Sequence, residues 1–107
     1  MAAERLTSSR DVAATLRAAR VPGRLVVLHH RARQDGGPPR LTVVASRRVG
    51  TAVARNRAKR LLREAARHLV WPAGTDVVLV ARPDCAASEL GAVAPDLQDL
   101  RERAGWS

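Results

Sequence analysis

Residues 46–67 read Ser-Arg-Arg-Val-Gly-Thr-Ala-Val-Ala-Arg-Asn-Arg-Ala-Lys-Arg-Leu-Leu-Arg-Glu-Ala-Ala-Arg. The apolar and basic residues of this run recur at helical spacing, which predicts an amphipathic helix. Gly50 permits a tight turn and Thr51 can cap the helix, which we expect to run to about Val70 and to end before Pro72. A small protein rarely concentrates charge in this way unless a polyanion faces it.

The predicted central helix carries two stripes. The apolar stripe, which we expect to be buried, consists of Ala54, Ala58, Leu61, Ala65 and Leu69, widened by Leu62. The basic stripe lies nearly opposite and consists of Asn56, Arg60, Arg63 and Arg67, flanked by Arg57 and Lys59. Like charges at this spacing repel each other by roughly 0.2–0.5 kcal/mol per pair, and only Glu64 offsets them. Phosphates facing the stripe would instead add affinity through counterion release, so we favour nucleic-acid binding over a merely solvated helix.

The charge of the whole chain supports the same interpretation. The 107 residues, enough for one domain, carry a net charge of +9. Residues 1–50 contribute +7 and residues 51–70 contribute +5, whereas residues 71–107 contribute −3. This asymmetry predicts an anionic partner for the first two thirds of the chain.

The segments before the central helix predict one helix and a pair of strands. Residues 8–20 have apolar residues on one helical face, with Ser8 or Ser9 as the N-cap. Residues 24–31 and 40–46 are strand candidates, and the Gly- and Pro-rich stretch between them predicts a β-hairpin.

The segments after the central helix predict a strand and a last helix. Residues 75–82 are continuously apolar, which is typical of a central strand. Residues 88–103 have helical periodicity with Ser88 as the expected cap, and Pro95 predicts either a kink or a later start. The order helix, two or three strands, helix, strand, helix indicates a two-layer α+β domain with one sheet.

No motif indicates catalysis by the chain itself. Cys85 is the only cysteine, so we expect a buried thiol in a protein of the reducing cytosol. The histidines His29, His30 and His68 have no metal-ligand spacing, and neither a Walker motif nor a nucleophile motif is present. A polar N-terminus and the absence of a long apolar run predict neither a signal peptide nor a membrane span.

Residues 52–64, Ala-Val-Ala-Arg-Asn-Arg-Ala-Lys-Arg-Leu-Leu-Arg-Glu, resemble the protein component of bacterial ribonuclease P. That family has an Arg-Asn-Arg-x-Lys-Arg signature after a strand that ends in Ser-basic-basic, and residues 46–48 supply the latter. The likeness extends to residues 5–11, which resemble the family's first helix, and to residues 75–83, which resemble its last strand.

The resemblance implies a fold and a function. The fold would be an α+β two-layer sandwich with one mixed four-stranded sheet and a left-handed β-α-β crossover, an arrangement also found in a ribosomal protein domain. The chain, residues 1–107, would be a single RNA-binding domain and the protein subunit of ribonuclease P. It would bind the catalytic RNA and the 5′ leader of precursor tRNA in the cytoplasm, without a membrane or an obligate protein partner. The RNA would hold the Mg²⁺ ions and perform the hydrolysis, so we expect neither a catalytic residue nor a cofactor in the protein.

The resemblance also implies two sets of site residues. The RNA-binding set is Ser46, Arg47, Arg48, Arg55, Asn56, Arg57, Lys59, Arg60, Arg63 and Arg67. The leader-cleft set is Arg10, Val12, Leu16, Arg17 and Leu28. The family usually has Phe at the positions of Val12 and Leu16 and often an aromatic residue near Leu28, so this chain lacks the rings that would stack on leader bases. Apolar contact and Arg10, Arg17 or Arg31 would have to replace that stacking.

Two other functions fit parts of the pattern. A structural RNA-binding protein of the ribosomal type would share the basic face, because unrelated functions recur on one fold. A small DNA-binding regulator would place the central helix in a major groove, prefer duplex DNA and form a dimer. Only the ribonuclease P subunit would stimulate leader cleavage when mixed with its cognate RNA at low magnesium.

Overall fold

The computed structural model describes residues 3–106 and contains five strands and three helices within them. The strands are β1 (Glu4–Arg5), β2 (Ala19–Pro22), β3 (Val26–Ala32), β4 (Arg40–Val44) and β5 (Thr75–Ala81). The helices are α1 (Ser9–Leu16), α2 (Ala52–Arg67) and α3 (Leu90–Arg103), and two short 3₁₀ turns cover Arg47–Val49 and Pro83–Cys85. The central helix and the central strand therefore lie where the sequence predicts them.

All five strands form one mixed sheet in the order β1-β4-β5-β3-β2. The pairs β1–β4 and β4–β5 are parallel, and the other two pairs are antiparallel. The sheet has one strand more than the expected four, because the two-residue β1 adds to its edge. Helix α2 connects the parallel neighbours β4 and β5, as the resemblance implies; the left hand of this crossover stays a prediction.

The predicted hairpin between residues 24–31 and 40–46 is wrong, because β5 lies between β3 and β4. Leu79 of β5 pairs with Leu28 on one side and with Val43 on the other. The loop 33–39 must therefore span two strand spacings, about 10 Å, which a tight hairpin turn cannot do. Backbone bonds of 2.7 Å from Arg33 N to Gly74 O and from Gly74 N to Gly37 O fasten the loop across the start of β5.

The hairpin that does form lies partly in the segment predicted as the end of the first helix. Ser8 caps α1 as expected, but α1 ends at Leu16, and residues 19–22 pair with residues 27–30 as β2 and β3. Pro22 ends β2, and Gly23 begins the turn that leads to β3. Gly23 N donates to Val26 O at 2.8 Å, and a Cβ at residue 23 would lie 2.7 Å from that oxygen.

Helix α3 also begins differently from the prediction. It starts at Leu90 after Glu89, and the hydroxyl of Ser88 donates to Asp84 O at 2.9 Å instead of capping the helix. Pro95 lies inside the helix, which continues through it to Arg103. Asp96, the next residue, accepts bonds from the backbone N of Arg24 and Leu25 at 3.4 and 3.0 Å, which ties α3 to the start of β3.

Helices cover both faces of the sheet, unequally. Helices α2 and α3 pack on one face and form the main core, which includes Leu28, Leu62, Trp71, Leu79, Val93, Leu97 and Leu100. Of the predicted apolar stripe of α2, Ala58, Leu62 and Ala65 are buried, whereas Ala54, Leu61 and Leu69 are only partly buried against the core. Ala66, which the prediction did not include, is buried as well. The shorter α1 lies over the other face and leaves part of it open. No described helix has the length and hydropathy needed to span a membrane.

Candidate nucleic-acid interface

The corner between β4 and α2 places the first basic residues of the interface. Ser46 Oγ accepts the backbone N–H of Arg48 at 3.3 Å, and Thr51 Oγ accepts that of Ala54 at 3.2 Å, so two caps define the turn. Gly50 lies between the two caps and has φ = +130°, a backbone conformation that residues other than glycine rarely adopt. Ser46, Arg47 and Arg48 are all exposed at this corner.

Helix α2 continues the basic surface. Asn56, Arg60, Arg63 and Arg67 are exposed at intervals of four, three and four residues, opposite the buried Leu62. We call this row the basic face. Arg55 and Lys59 are half-buried beside it. Within residues 3–106, Arg67 forms an exposed ion pair with Glu64 at 3.1 Å. The basic side chains of this region that form no ion pair with a described carboxylate are Arg47, Arg48, Arg55, Arg57, Lys59, Arg60 and Arg63.

Arg57 differs from the rest of the RNA-binding set. Its Nε donates to Ala86 O at 2.7 Å and its Nη2 donates to Ser88 O at 3.1 Å. The guanidinium therefore fastens α2 to the loop before α3. Nη1 has no described partner, so this side chain can reach a phosphate only through its outer edge.

The arginines at the opposite end of the sheet are neutralised. Asp76 of β5 is fully buried and accepts bonds from Arg31 at 2.9 Å, from Arg33 at 2.6 Å and from Arg40 at 2.7 Å. Asp11 of α1 bridges Arg31 and Arg40 at 3.3 and 3.2 Å. Burial raises the pKa of Asp76, but the hydrogen bonds from the three guanidiniums outweigh it and lower the pKa to about 2. Arg31, Arg33 and Arg40 are thus held by carboxylates and do not contribute free cations to the surface, unlike the exposed arginines of α2.

A second surface feature is a groove of about 420 Å³ between α1 and β4. Val12 and Leu16 of the predicted leader cleft line it, and Leu16 is 38% exposed. Thr42 and Val44 of β4 form the other wall. We call this the α1 groove; its described lining contains no aromatic residue.

The remaining members of the predicted cleft lie elsewhere. Leu28 was wrongly placed, because it is fully buried in the main core on the opposite face of the sheet. Arg10 on α1 and Arg17, the C-cap of that helix, are exposed but do not line the groove. Arg31 is held by Asp11 and Asp76, so it is not a free cation for a leader phosphate.

Two groups of residues were missed from the sequence. The groove wall Thr42 and Val44 follows from alternation along β4, since Leu41 and Val43 point to the other face. Asp76 could also have been recognised from the sequence, because a single acid inside a continuously apolar strand requires buried partners.

The other titratable groups do not assemble into a site. Cys85 is buried as expected, and burial raises the pKa of its thiol to about 11. Burial also lowers the pKa of His29 and His30 below the ordinary value of histidine. Within residues 3–106, no three His, Cys, Asp or Glu side chains are placed to hold a metal ion.

Comparison with known proteins agrees with this geometry. The family model described as Ribonuclease P matches residues 1–105. The ribonuclease P protein component of Symbiobacterium thermophilum is 41% identical over 88 residues, covering 79% of this chain and 76% of the relative. That of Gluconacetobacter diazotrophicus is 35% identical, covering 83% and 79%. That of Xanthomonas campestris is 45% identical over 83 residues, and the matched part spans 55% of the relative's length.

Solved structures show the same fold. The ribonuclease P protein from Thermotoga maritima superposes with a TM-score of 0.78 at 28% identity, covering 94% of this chain and 96% of that one. A Staphylococcus aureus ribonuclease P protein gives the same TM-score at 22% identity, covering 95% of both chains. The alternatives of a ribosomal-type protein and a DNA-binding regulator are thereby set aside. On its sequence, its fold and its open basic face, the chain belongs to the family of ribonuclease P protein components.

Proposed function

We propose that the basic face of α2 and the adjoining corner at residues 46–48 hold the catalytic RNA of ribonuclease P, and that the α1 groove holds the 5′ leader of precursor tRNA. The coarse role follows from the family: the chain is the protein component of an endoribonuclease that processes the 5′ ends of tRNA. The assignment of surfaces to the two RNAs is the proposal, with the whole chain acting as one RNA-binding domain in the cytoplasm.

One observation carries the proposal: the division of the arginines into a paired and an unpaired group. Arg31, Arg33 and Arg40 are bound to buried or half-buried carboxylates, whereas Arg60 and Arg63 meet no carboxylate within residues 3–106. The repulsion between the arginines of α2 is tolerated because the apolar stripe on the opposite side of the helix packs into the core and stabilises it. A polyphosphate backbone would relieve that repulsion and release counterions.

The role of the protein in cleavage is then electrostatic and positional. The Mg²⁺ ions that activate water would be held by the RNA, and phosphates crowded around them repel each other. Guanidinium groups on a rigid helix reduce that repulsion and so lower the magnesium concentration needed for activity. The α1 groove adds affinity for the leader, which mature tRNA lacks.

Reconstitution tests this function. The chain is mixed with its cognate catalytic RNA and a precursor tRNA at a magnesium concentration too low for the RNA alone. We expect 5′ leader cleavage to be stimulated by the unaltered chain and much less by the Arg60→Ala/Arg63→Ala variant. Equal cleavage with and without the chain would overturn the proposal.

A further inference from the structure

A second groove, of about 350 Å³, lies where β1, β4 and the last turns of α2 meet. Its apolar floor is formed by Leu41, Val43, Ala66 and Trp71. Its rim carries the cations Arg5, Arg63 and Arg67, with Glu4 as the one carboxylate among the described lining residues. We call it the β1 groove. It lies on the α2 side of the sheet, opposite the α1 groove.

The floor of the β1 groove is rigid and preformed. Trp71 is 1% exposed, and its indole N–H donates to Ala66 O at 3.1 Å, which fixes the ring. Val43 and Ala66 are nearly buried, while Leu41 is half-buried beside them. A phosphate alone would not use such an apolar surface, and an apolar peptide would not use three arginines. A flat aromatic ring, whose face is apolar, joined to a phosphate uses both.

The rim continues the basic face. Arg63 and Arg67 are the last two residues of the basic face and also belong to the rim. An RNA backbone bound along the basic face would therefore extend to the β1 groove. The ion pair of Arg67 with Glu64 joins exposed side chains and stabilises little, so Arg67 can turn towards a phosphate. Strand β1 is the edge of the described sheet, and an edge strand leaves backbone N–H and C=O groups without a strand partner. Such groups can bond the edge of a base.

We propose that the β1 groove receives one unpaired nucleobase of the catalytic RNA, while the adjacent phosphate contacts Arg63 and Arg67. The base lies on the floor of Leu41, Val43 and Ala66, and a rim guanidinium stacks over its outer face, a geometry that proteins use for splayed-out RNA bases. This inference rests on the proposed function, since the nucleotide belongs to the RNA held by the basic face.

The first experiment uses the unaltered chain and two small probes. Adenosine monophosphate and ribose 5-phosphate carry the same phosphate, and only the former has a base. We expect adenosine monophosphate to shift the NMR signals of the Trp71 indole N–H and the Leu41 and Val43 amides in a saturable way. Ribose 5-phosphate should bind at least about tenfold more weakly, because it has no base to place on the floor. Equal shifts with both probes, or none with either, would overturn the inference.

The second experiment fills the groove in the full chain without changing its charge. Ala3, half-buried on the rim at β1, is replaced by Phe, and Ala19→Phe on the exposed β2 at the opposite edge is the control. Ala3→Phe should weaken association with the catalytic RNA by about tenfold, the scale of one stacked base, and Ala19→Phe should not. Thermal unfolding identifies a variant that fails to fold, in which case the probe titration decides.

The two proposals fail separately. If the unaltered chain does not stimulate leader cleavage, the proposed function is wrong, whatever the probes show. If cleavage is stimulated and Ala3→Phe binds the catalytic RNA as tightly as Ala19→Phe, only the assignment of a base to the β1 groove is wrong.

Discussion

Arg40 donates two hydrogen bonds to Asp76, from Nε to Oδ1 at 2.7 Å and from Nη2 to Oδ2 at 2.7 Å. The two residues are direct partners in the parallel pair β4–β5, and Arg31 faces Asp76 from the other neighbour, β3. One carboxylate thus ties together three strands, and Asp11 adds α1 to the same cluster. The cluster lies at the end of the sheet where the loop 33–39 connects β3 to β4, two strands that do not pair with each other.

Replacing Asp76 by Asn should destabilise the fold strongly. The substitution leaves Arg31, Arg33 and Arg40 without their shared buried anion, and removing one partner of a buried ion pair costs about 3 kcal/mol. Urea unfolding of the variant measures the destabilisation. Asp99→Asn is the control, because Asp99 forms an exposed pair with Arg103 at 3.4 Å and should contribute less than about 1 kcal/mol. Equal destabilisation in the two variants would contradict a clamping role for Asp76.

The same cluster predicts how the free energy of unfolding falls at low pH. The pKa of Asp76 is lowered in the folded chain from 3.8 to about 2, so folding favours its ionised form. The stabilisation is fully present above pH 4 and is lost as the pH falls towards 2, by about 2 kcal/mol in total. Unfolding free energies measured from pH 5 to pH 2 should fall more steeply for the unaltered chain than for Asp76→Asn. Parallel curves would show that other carboxylates set the limit.

The salt dependence of RNA binding tests the basic face. Removing one phosphate-binding side chain should lower the slope of log K against log salt by roughly one, so Arg60→Ala/Arg63→Ala should lower it by about two. Filter binding of the catalytic RNA at several salt concentrations provides the slope. Arg20→Ala/Arg24→Ala removes the same charge from exposed positions on and beside β2, and its slope should stay near that of the unaltered chain. A common slope for all three proteins would rule out direct phosphate binding by Arg60 and Arg63.

An aromatic residue added to the α1 groove should strengthen leader binding. Leu16 lines the groove and is partly exposed, so Leu16→Phe can stack on a leader base, which contributes about 1–3 kcal/mol. The holoenzyme should then prefer precursor over mature tRNA by roughly an additional 5- to 100-fold. Ala18→Phe, exposed just after α1 and outside the groove, is the control. Should both variants bind the leader equally, the groove is not its site.

The elements that the sequence predicts best are those whose signals are local. Helix α2 has its cap at Thr51 and its apolar stripe within one run, and β5 is apolar along its whole length. The order of the strands could not be predicted from local signals. It depends on β5 pairing with both β3 and β4, which precede it by more than thirty residues. No turn residue near Gly36 or Gly37 carries that information.

The site divides in the same way. The basic face follows from spacing along one helix, so its exposed row could be predicted before any fold was known. The placement of Leu28 could not, because residues 26–29 are buried on both faces of β3 and their pattern does not mark which side each faces. The pairing of Arg31 and Arg40 with Asp76 depends on strand register, which only the assembled sheet sets.

The central place of β5 has a consequence for synthesis. A nascent chain that has left the ribosome only as far as α2 displays its arginines, yet β3 and β4 still lack the strand that joins them. Pairing across such long sequence separation is slow and comes late. The basic segment 52–67 is therefore synthesised before the strand that completes the sheet behind it, and a translation product that stops before residue 75 would carry these arginines without the folded support that orients them.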